Sequence, residues 1–342
     1  MKALVLKRIT NLEQNPHPLE LVELPQPIPG PGELLLRVSV CGVCHTELDE
    51  IEGRTPPPRL PIVPGHQVVG IVQESKADVG SFREGERAGV AWIYSACGTC
   101  EFCVAGNENL CRAFTATGRD ADGGYAEFMT VPAAYAYRIP DTFADAEAAP
   151  LLCAGAIGYR SLTLAGMKDG QNLGLMGFGA SAHLVLKTAR YLYPRSNIFV
   201  FARSILEQDF ARELGAAWAG TTSAESPEQC HRIIDTTPAW TPLVDALKNL
   251  ERGGRLVINA IRKEDADKDA LLRLDYPAHL WMEKEIKSVA NVARSDVSEF
   301  LELAARIPVR PAVEEFRLDQ ANRALGEIKA RKVRGAKVLR IR

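Results

Sequence analysis

The chain has 342 residues, 46% of them hydrophobic, so it is long enough to form about two domains with substantial cores. Its 41 basic and 43 acidic residues give a formal net charge of -2, which provides no overall attraction to nucleic acid or to an anionic membrane. The N-terminal MKALVLKRIT has too short an apolar run for a signal peptide, and no later run approaches a membrane span, so we expect a cytoplasmic protein with reduced cysteines.

The N-terminal region, residues 1 to about 150, is predicted to be rich in short strands. Valine-rich stretches alternate there with Gly and Pro, as in ELLLRVSV, HQVVGIVQ, RAGVAWI and YAEFMTV. From about residue 170, apolar strands alternate with helix-period segments, as in NLGLMGF, ASAHLVLKTARYL, NIFVFA, SILEQDFARELGA, HRIIDTT, WTPLVDALKNL and GRLVINA. This alternation predicts an α/β fold with a doubly wound parallel sheet, which the strand KSVANVA and the helix SDVSEFLELAARI complete.

The strongest chemical signal is CGTCEFCVAGNENLC, which contains four cysteines in a C-x2-C-x2-C-x7-C pattern. Cys97, Cys100, Cys103 and Cys111 could supply the four thiolates of a tetrahedral zinc site, with bonds of about 2.3 Å. Because the protein fills all four positions, we expect a structural role for this zinc. An iron-sulfur cluster and a set of incidental buried cysteines are the alternatives.

A second pattern, GLMGFGASAH, follows an apolar strand and opens an amphipathic helix. Gly177 and Gly179 begin a G-x-G-x-x-A pattern that ends at Ala182, and His183 is expected to be a packed helix residue. A turn of this kind lets the backbone approach a pyrophosphate and directs a helix N-terminus at it. We therefore assign Gly177, Gly179 and Ala180 to a dinucleotide site, with a tight turn that binds nothing as the alternative.

The end of the second strand of this region bears on the choice of nicotinamide cofactor. An NAD site usually has Asp or Glu at this position to bind the ribose hydroxyls. Here the position is Ala202, followed by Arg203 and Ser204. A missing carboxylate and a nearby guanidinium suit the 2'-phosphate of NADP, so NADP is favoured. NAD is the alternative, with Arg203 as a solvated surface charge.

Together these residues resemble the zinc-containing alcohol dehydrogenases of the medium-chain dehydrogenase/reductase superfamily over nearly the whole chain. GVCHTELD, PGHQVVG, the four-cysteine loop, GGYAEF, APLLCAG and the glycine turn occur in the order of that family and near its spacings. The resemblance implies a GroES-like catalytic domain formed by residues 1–150 and 290–342. It implies a Rossmann cofactor domain formed by residues 151–289, and a homo-oligomer, either tetramer or dimer.

The resemblance also implies a second, catalytic zinc bound by Cys44, His66 and Cys153. Three protein ligands leave one position for the oxygen of an alcohol or aldehyde, which the metal polarises for hydride exchange with nicotinamide. The implied reaction is reversible hydride transfer between a primary alcohol and NAD(P). A polyol or secondary-alcohol dehydrogenase of the same superfamily is the alternative. A non-enzymatic zinc-binding interaction module is a remote one, which the near-neutral charge argues against.

Supporting roles follow from the same resemblance. Thr46 matches the hydroxyl that bonds the alcohol and starts a proton relay, and His45 matches a position that faces the cofactor pyrophosphate. Glu47 replaces the usual Asp that orients the zinc histidine. Trp92 matches a wall of the substrate pocket and favours small primary alcohols. A turn hydroxyl, a surface histidine and an inertly packed Trp are the ordinary alternatives, and Cys41 is expected to be a buried bystander.

Besides Glu47, three further positions depart from the family pattern. Gln67 replaces the usual glutamate after the zinc histidine, so exchange of the fourth metal ligand is expected to differ. Asp49 stands where many members have a relay histidine, and a carboxylate is a weaker base at neutral pH, which predicts a different pH profile. Ala336 replaces a pyrophosphate-binding Arg, leaving Arg334 or Lys337 as its substitute.

Overall fold

The computed structural model describes residues 1–78, 81–307, 309–330 and 335–341. Arg334 therefore lies outside the described residues. The chain forms two compact units. The first unit comprises Met1–Ala156, Val292–Arg306 and Arg310–Arg342, and the second comprises Ile157–Asn291 with Ile307–Val309. Within the described ranges, no helix combines the length and the apolar character that crossing a bilayer requires.

The first unit is rich in short strands, as its alternating Val-rich and Gly/Pro-rich sequence predicts. Its elements are β1 (Lys2–Leu6), β2 (Leu19–Glu23), β3 (Glu33–Val43), α1 (His45–Ile51), β4 (Val68–Ser75), β5 (Arg87–Val90), β6 (Ile93–Ser95), α2 (Glu101–Val104), β7 (Thr115–Ala116), β8 (Phe128–Pro132), β9 (Ala136–Arg138), α3 (Asp145–Pro150), α8 (Arg294–Arg306), β16 (Val313–Arg317), α9 (Ala321–Lys329) and β17 (Ala336–Arg340).

A seven-stranded sheet organises this unit in the order β16-β17-β3-β4-β5-β9, with β8 also paired to β3. Its central strand β3 is long and apolar, and Leu34, Leu36 and Val38 are buried in the core. Strands β3 and β4 run antiparallel, with Cys41 opposite Val68. The residues that follow β3 and those that precede β4 therefore lie at the same end of the sheet, which is where the predicted metal ligands of these segments occur.

The second unit alternates strands and helices. Its elements are α4 (Ala156–Ala165), β10 (Leu173–Met176), α5 (Ala180–Leu192), β11 (Ile198–Phe201), α6 (Ile205–Glu213), β12 (Trp218–Gly220), β13 (Cys230–Asp235), α7 (Thr241–Lys248), β14 (Leu250–Ile258) and β15 (Glu285–Ser288).

The sheet of this unit confirms the predicted doubly wound fold. Six parallel strands lie in the order β12-β11-β10-β13-β14-β15, so the strand order reverses between β10 and β13. Ligands of such sheets bind at this reversal, beyond the carboxyl ends of the strands. Every residue of β10 and β11 is buried, as expected for strands covered on both faces.

The end of the sheet differs from the sequence prediction. The strand expected over KSVANVA, residues 287–293, is instead β15, which ends at Ser288. Asn291 has a φ of 56°, a left-handed conformation that no extended strand contains. The following helix α8 belongs to the first unit and does not complete the parallel sheet.

Candidate active site and metal centres

The three predicted ligands of a catalytic metal lie together in the first unit. The ligand atoms of Cys44, His66 and Cys153 are all within 4.8 Å of one another. His66 Nε2 lies 3.7 Å from Cys44 Sγ and 3.3 Å from Cys153 Sγ. A tetrahedral zinc with bonds of about 2.0–2.3 Å separates its ligand atoms by about 3.5–3.8 Å, so both the spacing and the donor set suit zinc.

Local structure explains how each ligand reaches this site. Cys44 is the N-cap of α1, and its Sγ accepts a hydrogen bond of 3.4 Å from the backbone N–H of Thr46. His66 lies two residues before β4. Cys153 lies in a π-helical turn, Leu151–Gly155, between α3 and α4. Such turns insert one extra residue into a helix and are frequent at functional sites, because they redirect a side chain.

Glu47 joins two of these ligands through its two carboxylate oxygens. Oε2 accepts a hydrogen bond of 2.8 Å from the backbone N–H of Cys44, which completes a capping box at α1. Oε1 lies 2.6 Å from Nδ1 of His66, and both side chains are buried. A proton on Nδ1 shared with this carboxylate leaves the Nε2 lone pair directed at the thiols. Glu47 thus reaches the histidine despite its extra methylene.

The charges of the cluster favour a bound cation. Hydrogen bonding to Cys153 and burial raise the pKa of the Cys44 thiol, and the negative charge of Glu47 raises it further. Thiols and a carboxylate crowded out of water favour a divalent cation, which deprotonates the sulfurs that coordinate it.

The four-cysteine loop also gathers into one cluster, whose sulfur atoms lie within 4.8 Å of one another. Cys97 Sγ lies 3.9 Å from Cys103 Sγ and 3.5 Å from Cys111 Sγ, and the Cys100 and Cys103 sulfurs are 3.5 Å apart. Hydrogen bonds from the backbone N–H groups of Thr99 and Cys100 lower the pKa of Cys97 to about 6. Four sulfurs at these separations suit a tetrahedral metal with no open position.

A polar contact that the sequence did not predict anchors this loop to α8. Glu108 is buried between the third and fourth cysteines of the loop, and Arg294 Nε donates to its Oε1 at 2.8 Å. The Arg294 guanidinium also lies 5.2 Å from the centroid of the Tyr135 ring. The Tyr135 hydroxyl in turn accepts from the backbone N–H of Ala96 at 2.9 Å. Because Arg294 is almost 200 positions from the cysteines, only the tertiary fold reveals this contact.

Helix α1 carries three further residues predicted to serve the site. His45 is exposed and Thr46 is half-buried, so both side chains are accessible at the start of the helix. Asp49 is buried, and its Oδ1 accepts a hydrogen bond of 2.6 Å from Nε of Arg54. Arg54 also forms an ion pair with Glu52. The proposed relay base is therefore held by a guanidinium.

Gln67, predicted to affect exchange of the fourth metal ligand, and Trp92, predicted to wall the substrate pocket, are both at least half-buried. Gln67 is buried against Gly42, where a Cβ would come within 2.7 Å of the Gln67 amide. Trp92 is half-buried and packs on Phe114, with ring centroids 5.2 Å apart.

Glu50 is a buried acid of α1 that the sequence analysis did not single out. Its side chain is 1% exposed, and burial, followed by the negative charge of Glu47, raises its pKa well above the usual value. The run ELDE looks like a solvated helix face in the sequence. No local signal distinguishes it from one, because the burial of Glu50 depends on distant segments.

The glycine turn of the second unit has the predicted form. Gly177 has a φ of 82°, and a Cβ there would lie 2.8 Å from Thr236 Oγ1 and 2.9 Å from Thr237 Cγ2. Gly179 is the N-cap of α5, and a Cβ there would meet no atom of the described residues within 4 Å. The first glycine is needed for packing, and the second leaves the space that a phosphate group requires.

The end of β11 holds the residues predicted to select the cofactor. Ala202 is buried, whereas Arg203 and Ser204 are exposed. Ser204 is the N-cap of α6, and Glu207 Oε2 accepts from the Ser204 N–H at 3.1 Å and from its hydroxyl at 3.0 Å. A carboxylate therefore lies on Ser204, a contact that the sequence analysis did not include.

Lys337, the alternative to Arg334 as a pyrophosphate ligand, is engaged elsewhere. Its Nζ is buried and donates to Glu314 at 2.5 Å and to Glu327 at 2.6 Å. The two acids neutralise its charge within the first unit, so it has little capacity to bind another anion.

The parallel sheet with its glycine turn, joined to a β-rich unit with a three-donor metal cluster, defines a class of zinc-dependent oxidoreductases. In agreement, residues 30–141 match the family model of the alcohol dehydrogenase GroES-like domain. The chain is 43% identical over 329 residues to the probable alcohol dehydrogenase AdhA of Mycobacterium tuberculosis, covering 95% of this chain and 93% of that one.

A second relative and a solved structure agree with this match. The chain is 34% identical over 333 residues to an alcohol dehydrogenase of Geobacillus stearothermophilus, covering 95% of this chain and 96% of that one. The cobalt- and zinc-bound alcohol dehydrogenase of Pyrobaculum aerophilum has the same fold, with a TM-score of 0.88, 23% identity, and coverage of 100% of this chain and 99% of that one.

The chain belongs to the zinc-containing alcohol dehydrogenases of the medium-chain dehydrogenase/reductase superfamily. It is an oxidoreductase that acts on CH–OH groups. The predicted fold, a GroES-like domain with a Rossmann domain, is confirmed.

Proposed function

We propose that the protein catalyses reversible hydride transfer between a small primary alcohol and a nicotinamide dinucleotide. The observation that carries this proposal is the cluster of Cys44, His66 and Cys153, two thiols and one imidazole, whose atoms are spaced for one zinc ion. When bound, zinc supplies a Lewis acid for the oxygen of the alcohol or aldehyde. The four-cysteine cluster has no open position, so its zinc stiffens the loop that holds it.

Around that metal the chain supplies orientation and a path for the proton. Glu47 fixes the His66 tautomer, which keeps Nε2 as the donor atom. We assign Thr46, half-buried and two residues after Cys44, to hydrogen-bond the substrate hydroxyl and to pass its proton onward. Asp49, one turn further along α1, is proposed to receive it. Trp92 is proposed to limit the space for the alcohol, which favours short primary alcohols over polyols and secondary alcohols.

The second unit is proposed to bind the dinucleotide at the Gly177–Gly179 turn, with Ala180 at the start of α5. The backbone N–H groups at a helix N-terminus attract the pyrophosphate. Two further basic residues predicted from the sequence, His45 and Arg334, belong to this proposal as contacts of the pyrophosphate. The domain limits inferred from the sequence, 1–150 with 290–342 and 151–289, belong to this proposal, as do a cytoplasmic location and a homo-oligomeric state.

NADP is the proposed cofactor, because Ala202 removes a repulsive carboxylate and Arg203 adds a positive charge. One observation favours NAD instead. Glu207 brings a carboxylate onto Ser204, and that charge would repel a 2'-phosphate while accepting hydrogen bonds from ribose hydroxyls. The two residues make opposite contributions, so each can be tested separately.

Initial rates with NAD and NADP, each against straight-chain, aromatic and secondary alcohols, test the proposal. We expect kcat/KM to be higher with NADP and with primary alcohols. Ala202→Asp should shift the preference towards NAD, and Glu207→Gln should shift it towards NADP. A strong NAD preference that Glu207→Gln leaves unchanged would overturn the reading of Ala202 and Arg203, and a preference for polyols would overturn that of Trp92.

A further inference from the structure

Lys263 of the second unit is a buried lysine that the reaction described above does not use. Its side chain is only 6% exposed. Its Nζ forms an ion pair with Asp235 and donates to the carbonyl oxygens of Thr237 at 2.8 Å and Ala239 at 2.9 Å. Each of the three ammonium protons therefore has one acceptor, so the side chain is held in a single position.

Asp235, the partner of Lys263, is the last residue of β13 and is fully buried. While Oδ2 pairs with Lys263, Oδ1 accepts from the backbone N–H of Thr237 at 2.9 Å and from its hydroxyl at 2.7 Å. The carboxylate and the ammonium thus both hydrogen-bond to Thr237, and the ammonium also bonds to Ala239, so together they hold the segment 236–239.

This segment lies against the glycine turn. The N–H and the hydroxyl of Thr236 donate to the carbonyl of Met176, at 2.9 Å and 3.0 Å. Thr236 and Thr237 are also the residues that a Cβ at Gly177 would strike. Strands β10 and β13, which these residues follow, are the pair at which the strand order reverses. Residues 236–239 therefore form one wall of the region where a parallel sheet binds its ligand.

A buried ion pair adds little net stability to a fold. Removing two charges from water offsets most of their attraction, and well-packed apolar residues often stabilise a fold equally well. The pair does, however, fix the position of whatever its hydrogen bonds reach. Within the described part of the chain, the other hydrogen-bond partners of these two side chains are Thr237 and Ala239.

We propose that Asp235 and Lys263 are positioning residues for the cofactor, which hold residues 236–239 against the Gly177 turn in the geometry that the dinucleotide requires. This inference rests on the proposed binding of the dinucleotide at that turn.

The test compares cofactor affinity in wild-type protein, Lys263→Met and the double variant Asp235→Asn/Lys263→Met. The dissociation constants of NADH and NADPH are measured by fluorescence titration, beside the KM for the alcohol and the melting temperature. We expect both variants to bind the cofactor that wild type prefers about tenfold more weakly or worse, since small misplacements have large effects. The KM for the alcohol, at saturating cofactor, should change by less than about twofold.

The double variant guards against misfolding, because Lys263→Met alone leaves a buried carboxylate without its counter-ion. Ile198→Ala serves as the matched control. It removes a buried side chain from the first residue of β11, at the opposite end of the sheet from the glycine turn. Ile198→Ala should lower the melting temperature without changing cofactor affinity. If Lys263 had only a structural role, Lys263→Met would give the same result as this control.

A second measurement uses wild-type protein and needs no variant. Adding the preferred dinucleotide should slow amide hydrogen exchange in residues 236–240. Wild type that binds neither dinucleotide would refute the proposed function. If wild type binds one dinucleotide, two results would refute the role of Asp235 and Lys263 while leaving the proposed function intact. One is wild-type cofactor affinity in a folded variant, and the other is unchanged exchange in residues 236–240.

Discussion

One side chain, Glu47, serves both the fold and the candidate catalytic metal site. One oxygen caps α1 through the Cys44 N–H, and the other lies against His66 Nδ1. The position of Cys44 and the orientation of His66 therefore depend on the same carboxylate. A shorter Asp would have to move the helix or the histidine to make both contacts.

Cys41 offers a test of which cysteines bind metal. It lies in the core strand β3, and burial, followed by the charge of Glu47, raises its thiol pKa, so it is a neutral apolar group. We expect Cys41→Ser to keep its zinc and its kcat while losing about 1–2 kcal/mol of stability, because a buried hydroxyl needs a hydrogen bond. Zinc analysis, kinetics and urea unfolding check this. Loss of both zinc and activity would contradict it.

Asp49→Asn tests the proposed proton relay. If Asp49 receives the proton from Thr46, the amide should lower kcat/KM by about 10²-fold and change the shape of its pH profile. The measurement is kcat/KM as a function of pH from about 4.5 to about 8.5, which spans about two units on either side of the reference pKa of a relay histidine, about 6.5.

Arg54→Met is the control for that variant, because it breaks the same ion pair and keeps the carboxylate. Because Arg54→Met keeps the carboxylate that is proposed to accept the proton, its kcat/KM should fall much less than that of Asp49→Asn. An Asp49→Asn profile that matches wild type would show that Asp49 only holds Arg54.

Among the secondary-structure elements, helix α5 begins at the glycine turn and carries a buried imidazole, that of His183, in its first turn. His183 is fully buried, and burial, opposed by the Gly179 carbonyl and aided by Lys187, lowers its pKa to about 4. The unfolded chain takes up this proton near pH 6.5, whereas the folded chain resists until about pH 4. Stability from His183 is therefore complete above pH 6.5 and decreases as the pH falls towards 4, by about 3 kcal/mol.

His183→Gln removes this titration. We expect the free energy of unfolding of wild type to fall more steeply than that of the variant between pH 7 and pH 4, by about 3 kcal/mol in total. Urea unfolding at a series of pH values measures it. Parallel curves for the two proteins would show that His183 is not the group that titrates.

Some secondary-structure elements could be predicted from the sequence and others could not. Helix α5, Ala180–Leu192, has the limits of the segment ASAHLVLKTARYL, because its period and the preceding Gly179 are both local signals. KSVANVA is equally apolar, yet its strand ends at Ser288, since Asn291 takes a left-handed conformation. Cys44, His66 and Cys153 were identifiable from motifs, whereas Glu50, Arg294 and Lys263 depend on distant partners.

At the scale of the whole molecule, the chain leaves the first unit, forms the parallel sheet and returns. The returning segment supplies α8, which anchors the four-cysteine loop through Arg294, and β17, which pairs with β3. The metal clusters thus depend on both ends of the chain. The glycine turn, and the segment 236–239 that Lys263 contacts, lie within the second unit.

We propose that the two metal clusters of the first unit have different roles in this alcohol dehydrogenase, one in catalysis and one in structure. Zinc content per chain, measured with alcohol-dependent reduction of NAD(P), tests it most directly. We expect two zinc ions and activity in wild type, and one zinc ion without activity in Cys44→Ser. Cys100→Ser, the matched control, should also keep one zinc ion but lose stability in the loop.

A wild-type protein with one zinc ion and no alcohol-dependent reduction of NAD(P) would refute these two roles. So would a Cys44→Ser variant that keeps both zinc ions and its activity.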